Sequence, residues 1–284
     1  MREERAVTDF HFSDKDRQFH NHSHLSCEMI YVKQGRAVFT IQGKSYSAGE
    51  GSLIFISSLE EHSVKIAEKP YCRYFLSISS KPLEKHVSNP LLTSIFKNRP
   101  ENFCHCVPVY EDGEAVERLL LQIEKEYRGG HAFSQEFTCS LLEQLLILLY
   151  RRMPSNFPLP PSMTHHRIND IQQYIEQHFS EPLQIRELSK KYFISTDYLT
   201  HTFKQVVGYS PKQYLLLNRL TYAQELILQT SLPIWSVALR SGFQDVNNFI
   251  RSYKKHFGTT PSRHREAGSP RQGGSSKTGK SPMK

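Results

Sequence analysis

The sequence predicts a multidomain chain: an N-terminal all-β barrel, a helical segment after it, and a C-terminal all-α domain with two helix-turn-helix motifs. Residues 7–110 break into short apolar runs separated by glycines at turn-like intervals. Residues 114–152 change to helical period, and within residues 165–266 a helical pattern repeats at an offset of fifty. At 284 residues the chain has room for two domains of ordinary size.

The strand reading rests on runs such as Glu28–Val32, Ala37–Ile41 and Leu53–Ile56, punctuated by Gly35, Gly43, Gly49 and Gly51. Period-two alternation places His22, His24, Glu28, Ile30 and Val32 on one face. Further along, Leu119, Leu120, Ile123 and Tyr127 share one helical stripe. Phe137, Leu141, Leu145, Leu148 and Leu149 share another. The expected boundaries are 1–110 for the barrel and 111–152 for a helical segment that pairs two copies of the chain or packs on the barrel.

Residues 153–164 hold four prolines and predict a stiff, extended linker. Residues 267–284 are rich in Gly, Ser and Lys and predict a disordered basic tail. Charge follows the same division: residues 1–164 carry a net −1, whereas 165–265 carry +6. Only the second half is therefore suited to a polyanion. The five cysteines (27, 72, 104, 106 and 139) are odd in number and irregular in spacing, against a disulfide framework. Cys104-His105-Cys106 reads as a reduced thiol pair rather than half a metal site. The N-terminus has no secretory h-region, and Leu145–Tyr150 is far shorter than the ~20 residues that span a bilayer. A cytoplasmic chain without membrane contact is expected.

Each copy of the repeat reads as helix, tight turn, helix. In the first, Ile185–Tyr192 is a short helix, Ser195 caps the next, and Gly208 ends it. Ser210 and Pro211 then open a 19-residue connecting helix, Pro211–Gln229. In the second, Pro233–Arg240 is the short helix, Asp245 the cap, and Val246–Phe257 the long helix closed by Gly258. Leu199, Phe203 and Val206 face inward in the first copy. The opposite face carries Thr196, Asp197, Thr200, His201 and Lys204, matched in the second copy by Val246, Asn247, Asn248, Ile250 and Arg251, with Lys254 a turn further on. Such residues, at the N-terminal end of a recognition helix, suit base edges and phosphates of duplex DNA. At 1.5 Å per residue the connecting helix spans ~28 Å, close to the ~34 Å turn of B-DNA, so two such helices can enter successive major grooves.

Over residues 165–265 the chain resembles the AraC/XylS family of bacterial regulators. The pattern is Arg219…Ala223…Leu226, then Ile234…Val237-Ala238…Gly242-Phe243…Asn248-Phe249…Arg251…Tyr253-Lys254…Gly258…Thr260-Pro261…Arg265. It departs at Ser189, where Ala is usual, at Tyr253 for Phe, and at His264 for an aromatic residue. The resemblance implies a sequence-specific transcription regulator, more commonly an activator meeting RNA polymerase, and a homodimer suits paired half-sites.

Upstream, His22-x-His24-x3-Glu28-x6-Gly35 fits the first motif of the cupin barrel, and His62 falls eleven residues after Gly51 as in the second. That second motif is degraded, with Ser57 for proline, Leu59 for glycine and Ile66 for asparagine. The resemblance implies a cupin-like sensor. His22, His24, Glu28 and His62 are expected to contact an organic effector, a neutral polyol or sugar, without metal or other cofactor. The same donors suit Fe, Mn or Ni, so the alternatives are a metal-dependent cupin enzyme and polar groups that only pack the barrel. No nucleophile triad, phosphate loop or dinucleotide fingerprint is present, so no catalytic residue is assigned.

Overall fold

The computed structural model describes residues 5–14, 19–96, 103–157 and 163–268. Among the described residues, seven strands build one antiparallel sheet: β1 (Val7–Ser13), β2 (Phe19–His22), β3 (Cys27–Ile41), β4 (Lys44–Gly49), β5 (Ser52–Ile56), β6 (His62–Ile78) and β7 (Cys106–Pro108). The order is β1-β6-β3-β5-β7, with β2 added to β6 and β4 to β3. The long strands β3 and β6 pair throughout, and their register shifts between Val32 and Ala37. Gly35 sits in that irregularity at φ +79°, where a Cβ would lie 2.2 Å from the Pro70 carbonyl oxygen. No other residue fits there, and the bend lets one sheet fold over its own core.

Side-chain alternation divides that core in two. Ile30, Val32, Ala37, Phe39 and Ile41 pack inside the folded sheet with Ile54, Ile56, Val64 and Tyr71. Cys27, Met29 and Tyr31 point the other way, into a core shared with the helices. Those helices begin earlier than the sequence suggests. The strand pattern read over 7–110 includes residues 80–96, but these form α1 (Ser80–His86), α2 (Pro90–Thr93) and a 3-10 turn, Ser94–Phe96. The cause is local: Asn89 caps α2 by accepting the Leu91 N–H, Pro90 fits its first turn, and Leu83, Leu92, Ile95 and Phe96 are buried together.

The helices α3 (Gly113–Gly129) and α4 (Ser134–Arg152) close the same core through Val116, Leu120 and Ile123 and through Leu141, Leu145 and Leu149. Phe137 departs from the expected stripe and is exposed. The linker is also less extended than its prolines imply. Pro154–Asn156 is a 3-10 turn, and Met153 and Phe157 are buried against the helical core; residues 158–162 lie outside the described residues.

The C-terminal domain consists of α5 (Met163–His178), α6 (Ile185–Lys191), α7 (Thr196–Val207), α8 (Pro211–Gln229), α9 (Ile234–Arg240), α10 (Val246–Phe257) and α11 (Pro261–Gly268). It starts two residues before the expected boundary at 165, and α9 begins at Ile234 with Pro233 as its cap. The expected disorder of residues 267–284 falls almost wholly outside the described residues, while Ala267 and Gly268 end α11. The predicted caps are in place: Ser195 accepts the Tyr198 N–H, Asp245 accepts the Asn248 N–H, and Ser210 with Gln213 forms a capping box. Gly208 and Gly258 take the left-handed conformation that ends α7 and α10. Two cores result. Ile168, Ile171, Ile175, Leu188, Leu199 and Phe203 serve the first unit, and Ala223, Ile227, Val237, Ala238, Phe249 and Tyr253 the second.

Candidate functional sites

With Leu199 and Phe203 buried, the opposite face of α7 is left to solvent. Thr196, Asp197, Thr200, His201 and Lys204 are all exposed there. On α10, Asn247, Asn248, Arg251 and Lys254 are exposed. Val246 and Ile250 depart from the expected reading face: both are half-buried against the second core, so they contribute less free surface than their neighbours. Hydrogen bonds sort these residues further. The Thr200 hydroxyl donates back to the Thr196 carbonyl at 2.8 Å, leaving its methyl and lone pairs outward. The Asn248 side-chain oxygen accepts from the Arg251 guanidinium at 3.3 Å and orients it.

The departures from the family pattern each find a partner. The Ser189 hydroxyl is buried, donates to the Arg186 carbonyl and lies 3.0 Å from the Thr196 hydroxyl. The Tyr253 hydroxyl, fully buried, lies 2.9 Å from His264 Nδ1, so these two changes satisfy one another. Arg219 and Arg265, prominent in the pattern, serve structure: Arg219 donates to the carbonyls of Phe179 and Glu181, Arg265 to those of Ile227 and Leu232. Each ties down the end of a helix whose carbonyls lack partners.

At the mouth of the barrel, β2 ends on His22, the following loop carries His24, Glu28 is the second residue of β3, and β6 opens with His62. The single-face parity inferred from one strand is therefore spread over three segments, yet the side chains converge. The donor nitrogens of His22, His24 and His62 lie within 4.8 Å of one another. Glu28, buried, receives His24 Nε2 at 2.8 Å and His62 Nε2 at 3.5 Å. The other nitrogens are anchored on backbone, His24 Nδ1 on Ser26 O and His62 Nδ1 on Glu60 O. Burial works against the Glu28 charge, but bonds from His24 and His62 prevail and hold its pKa down to about 2. Burial likewise opposes the His24 charge, yet the bond to Glu28 and its charge raise the pKa above 6.5.

This cluster does not look into a sealed barrel. Its His22 and His24 line a cavity of about 880 Å³ between barrel and C-terminal domain, walled also by Glu225, His256, Phe257 and His264, while Glu28 and His62 are buried behind them. Glu225 accepts from the Leu25 N–H and faces His24. Sequence reasoning missed Glu225, His256 and His264 as lining because nothing local marks a residue whose neighbour is 200 positions away. A second cavity, about 630 Å³, lies between the barrel residues Tyr46, Glu60 and His105 and the first unit's Val206, Tyr209 and Tyr214. The cysteines are all free; Cys104 is exposed and Cys106 half-buried, where burial pushes its thiol pKa up. No helix among the described residues is long and apolar enough to cross a membrane.

Residues 9–146 match the AraC-like ligand binding domain model and residues 188–267 a helix-turn-helix domain model, together covering most of the chain. The HTH-type transcriptional activator RhaS of Klebsiella pneumoniae (strain 342) is 23% identical over 262 residues, 86% of each chain. RhaS of Escherichia coli O127:H6 is 22% identical over the same shares. Among solved structures, a lysine-to-alanine variant of apo ToxT from Vibrio cholerae strain SCE256 superposes with a TM-score of 0.60 at 12% identity, covering 93% of this chain and 99% of ToxT. ToxT described with a bound unsaturated fatty acid gives 0.59 at 12% identity, covering 93% and 97%. At that identity the likeness establishes the fold: a cupin-like sheet domain joined to a pair of helix-turn-helix units. On the two domain matches and the full-length relatives, the chain belongs to the AraC/XylS family of DNA-binding transcription regulators, with an N-terminal ligand-binding domain.

Proposed function

We propose that this regulator is an activator, not an enzyme, and works as a cytoplasmic homodimer that contacts RNA polymerase when its effector is bound. What supports DNA reading at the assigned positions is one observation: two exposed polar helix faces, on α7 and α10, joined by the continuous 19-residue α8. In this reading Asn247 and Arg251 read one half-site and Thr200 and His201 the next, with Thr196, Asp197, Val246 and Asn248 at the edges. Lys204, Lys212, Lys254 and Lys255 meet phosphates. The dimer forms through α3 and α4, where half-buried Leu119, Ile147 and Leu148 line an open groove. The test is salt dependence of the full chain on a duplex selected from random sequence. With about 5–8 phosphates contacted, log K falls with log[salt] at a slope of about −0.9 per contact. A flat response would overturn the reading.

The effector contacts His22, His24, Glu28 and His62, and their mixed donors and acceptors suit the hydroxyls of a neutral polyol or sugar. ToxT has been described with an unsaturated fatty acid, so a thermal-shift screen should include sugars, polyols and such an acid. A sugar that raises the melting temperature of the wild type and not of His24→Ala supports the assignment. The donor set also fits a transition metal: three imidazole nitrogens and a carboxylate, with both anchored Nδ1 atoms leaving Nε2 toward the centre. One tightly held Fe, Mn or Ni per chain, lost in His24→Ala, would replace the sugar reading.

A further inference from the structure

Leu59 is a barrel residue that is buried in the other domain. It lies in the turn between β5 and β6, is 3% exposed, and packs in the core of the first helix-turn-helix unit with Ile171, Leu199, Phe203 and Tyr214. It also borders both interdomain cavities. Its backbone is left-handed, φ +63°, a conformation that suits glycine and that a leucine adopts only at a cost. This is the position where the cupin motif has glycine. Burial of the side chain in a neighbouring core compensates for that strain, so the departure from the motif has a physical use.

The same residue is tied to the histidine cluster. The Leu59 N–H donates to the His24 carbonyl at 2.8 Å. Its neighbour Glu60 holds the turn by accepting the Ser57 N–H at 2.6 Å and meeting His105 at 3.1 Å, while the Glu60 carbonyl binds His62 Nδ1. Leu25, next to His24, packs on the same core as Leu59. Any shift of His24 or His62 is therefore carried by short, bonded segments to a side chain seated between α5, α7 and α8.

We propose that Leu59 is the relay between the two domains: it transmits the state of the histidine cluster to the first helix-turn-helix unit by moving a side chain of that unit's own core. The relay rests on the reading of the cluster as the effector site, but its test needs no effector. In the full chain, Leu59→Gly removes the knob while favouring the left-handed backbone. Hydrogen exchange in α5 and α7 should then quicken about tenfold or more, as expected for a lost buried leucine, with α10 and strands β3 and β6 unchanged. His24→Ala should quicken α7 exchange about threefold when Leu59 is present, and add nothing in the Leu59→Gly background. Leu59→Met, which keeps an apolar knob, should preserve the coupling. If glycine disturbs β3 or β6, Leu59→Asn, which also tolerates this backbone, replaces it in the cycle. Equal effects of His24→Ala with leucine or with the replacement at 59, or no change in α7 on losing the knob, would overturn the relay. A flat thermal-shift screen would sink the effector reading and leave the relay standing.

Discussion

The two helix-turn-helix units share a design and differ in who completes them. The second finishes its own core, with Phe243, Phe249 and Tyr253 closed by the Tyr253–His264 bond. The first takes Leu59 from the barrel into its core, with Leu25 beside it, and adds the Gln173–Glu84 bond at 2.8 Å from α5 to α1. Cavities border both units, one lined by Val206, Tyr209 and Tyr214 of the first and the other by His256, Phe257 and His264 of the second, where no barrel side chain among the described residues enters the core. One reading head is thus built into the sensor, and the other stands beside it. The barrel has a packed apolar route to the first unit, and it reaches the second across a cavity and through the Leu25–Glu225 bond on α8.

The strongest way to break this comparison is to empty each core. Phe203→Ala and Phe249→Ala should each cost about 3–5 kcal/mol in chemical denaturation. The first should also loosen the Ser57–Glu61 turn by hydrogen exchange, and the second should not. Equal disturbance of that turn by both would erase the asymmetry. On DNA, Arg251→Ala should cost about 1–3 kcal/mol on the selected duplex and far less on random sequence. Equal loss on both would make Arg251 a phosphate contact.

A comparable cost, about 1–3 kcal/mol, should follow His264→Ala, because the buried Tyr253 hydroxyl loses its partner. Adding Tyr253→Phe should recover most of it, and the effect should stay within α8 to α11. Smaller still, Ser195→Ala and Asp245→Ala should each cost about 1 kcal/mol, alike in the two units because caps act locally. The mildest perturbation is pH. Glu28 is depressed to about 2, so its stabilisation is present above its ordinary 4.5 and is lost as pH falls toward 2. His24 is raised, so its share is complete below 6.5 and is lost as pH rises through the higher folded value. Melting temperature against pH should show both limbs, and His24→Gln should flatten the alkaline one.

What was legible in the sequence was local. Ser195, Gly208, Ser210, Asp245 and Gly258 mark helix ends through interactions within four residues, so α6 to α10 are legible almost to the residue, whereas α5 begins five residues before Ile168 and α11 lies beyond the expected end at Phe257. Alternation along β3 separated Ile30 and Val32 from Met29 and Tyr31 correctly, since a pleat has a fixed period. Residues 80–96 were misread because their short helices owe their stability to a shared core with α4 rather than to a long periodic pattern. The histidine cluster was found through a motif, but its outlook onto Glu225 and His256 depends on how two domains dock. Leu59 read as mere degradation of that motif; its value lies wholly in a partner core that no local spacing reveals.

The continuous α8, clamped at one end by Ser210 and Gln213 and at the other by Arg265, also bears on how affinity is composed. Once one unit is seated on DNA, the other is held at a fixed distance and angle from its own half-site. Its binding then proceeds at an effective concentration set by that geometry, in the millimolar range or above for a short tether, and the two affinities multiply. A half-turn of extra DNA between the half-sites would abolish that gain at once, because a helix cannot rotate one head past the other as a flexible linker does. For this regulator, operator spacing should matter as much as operator sequence.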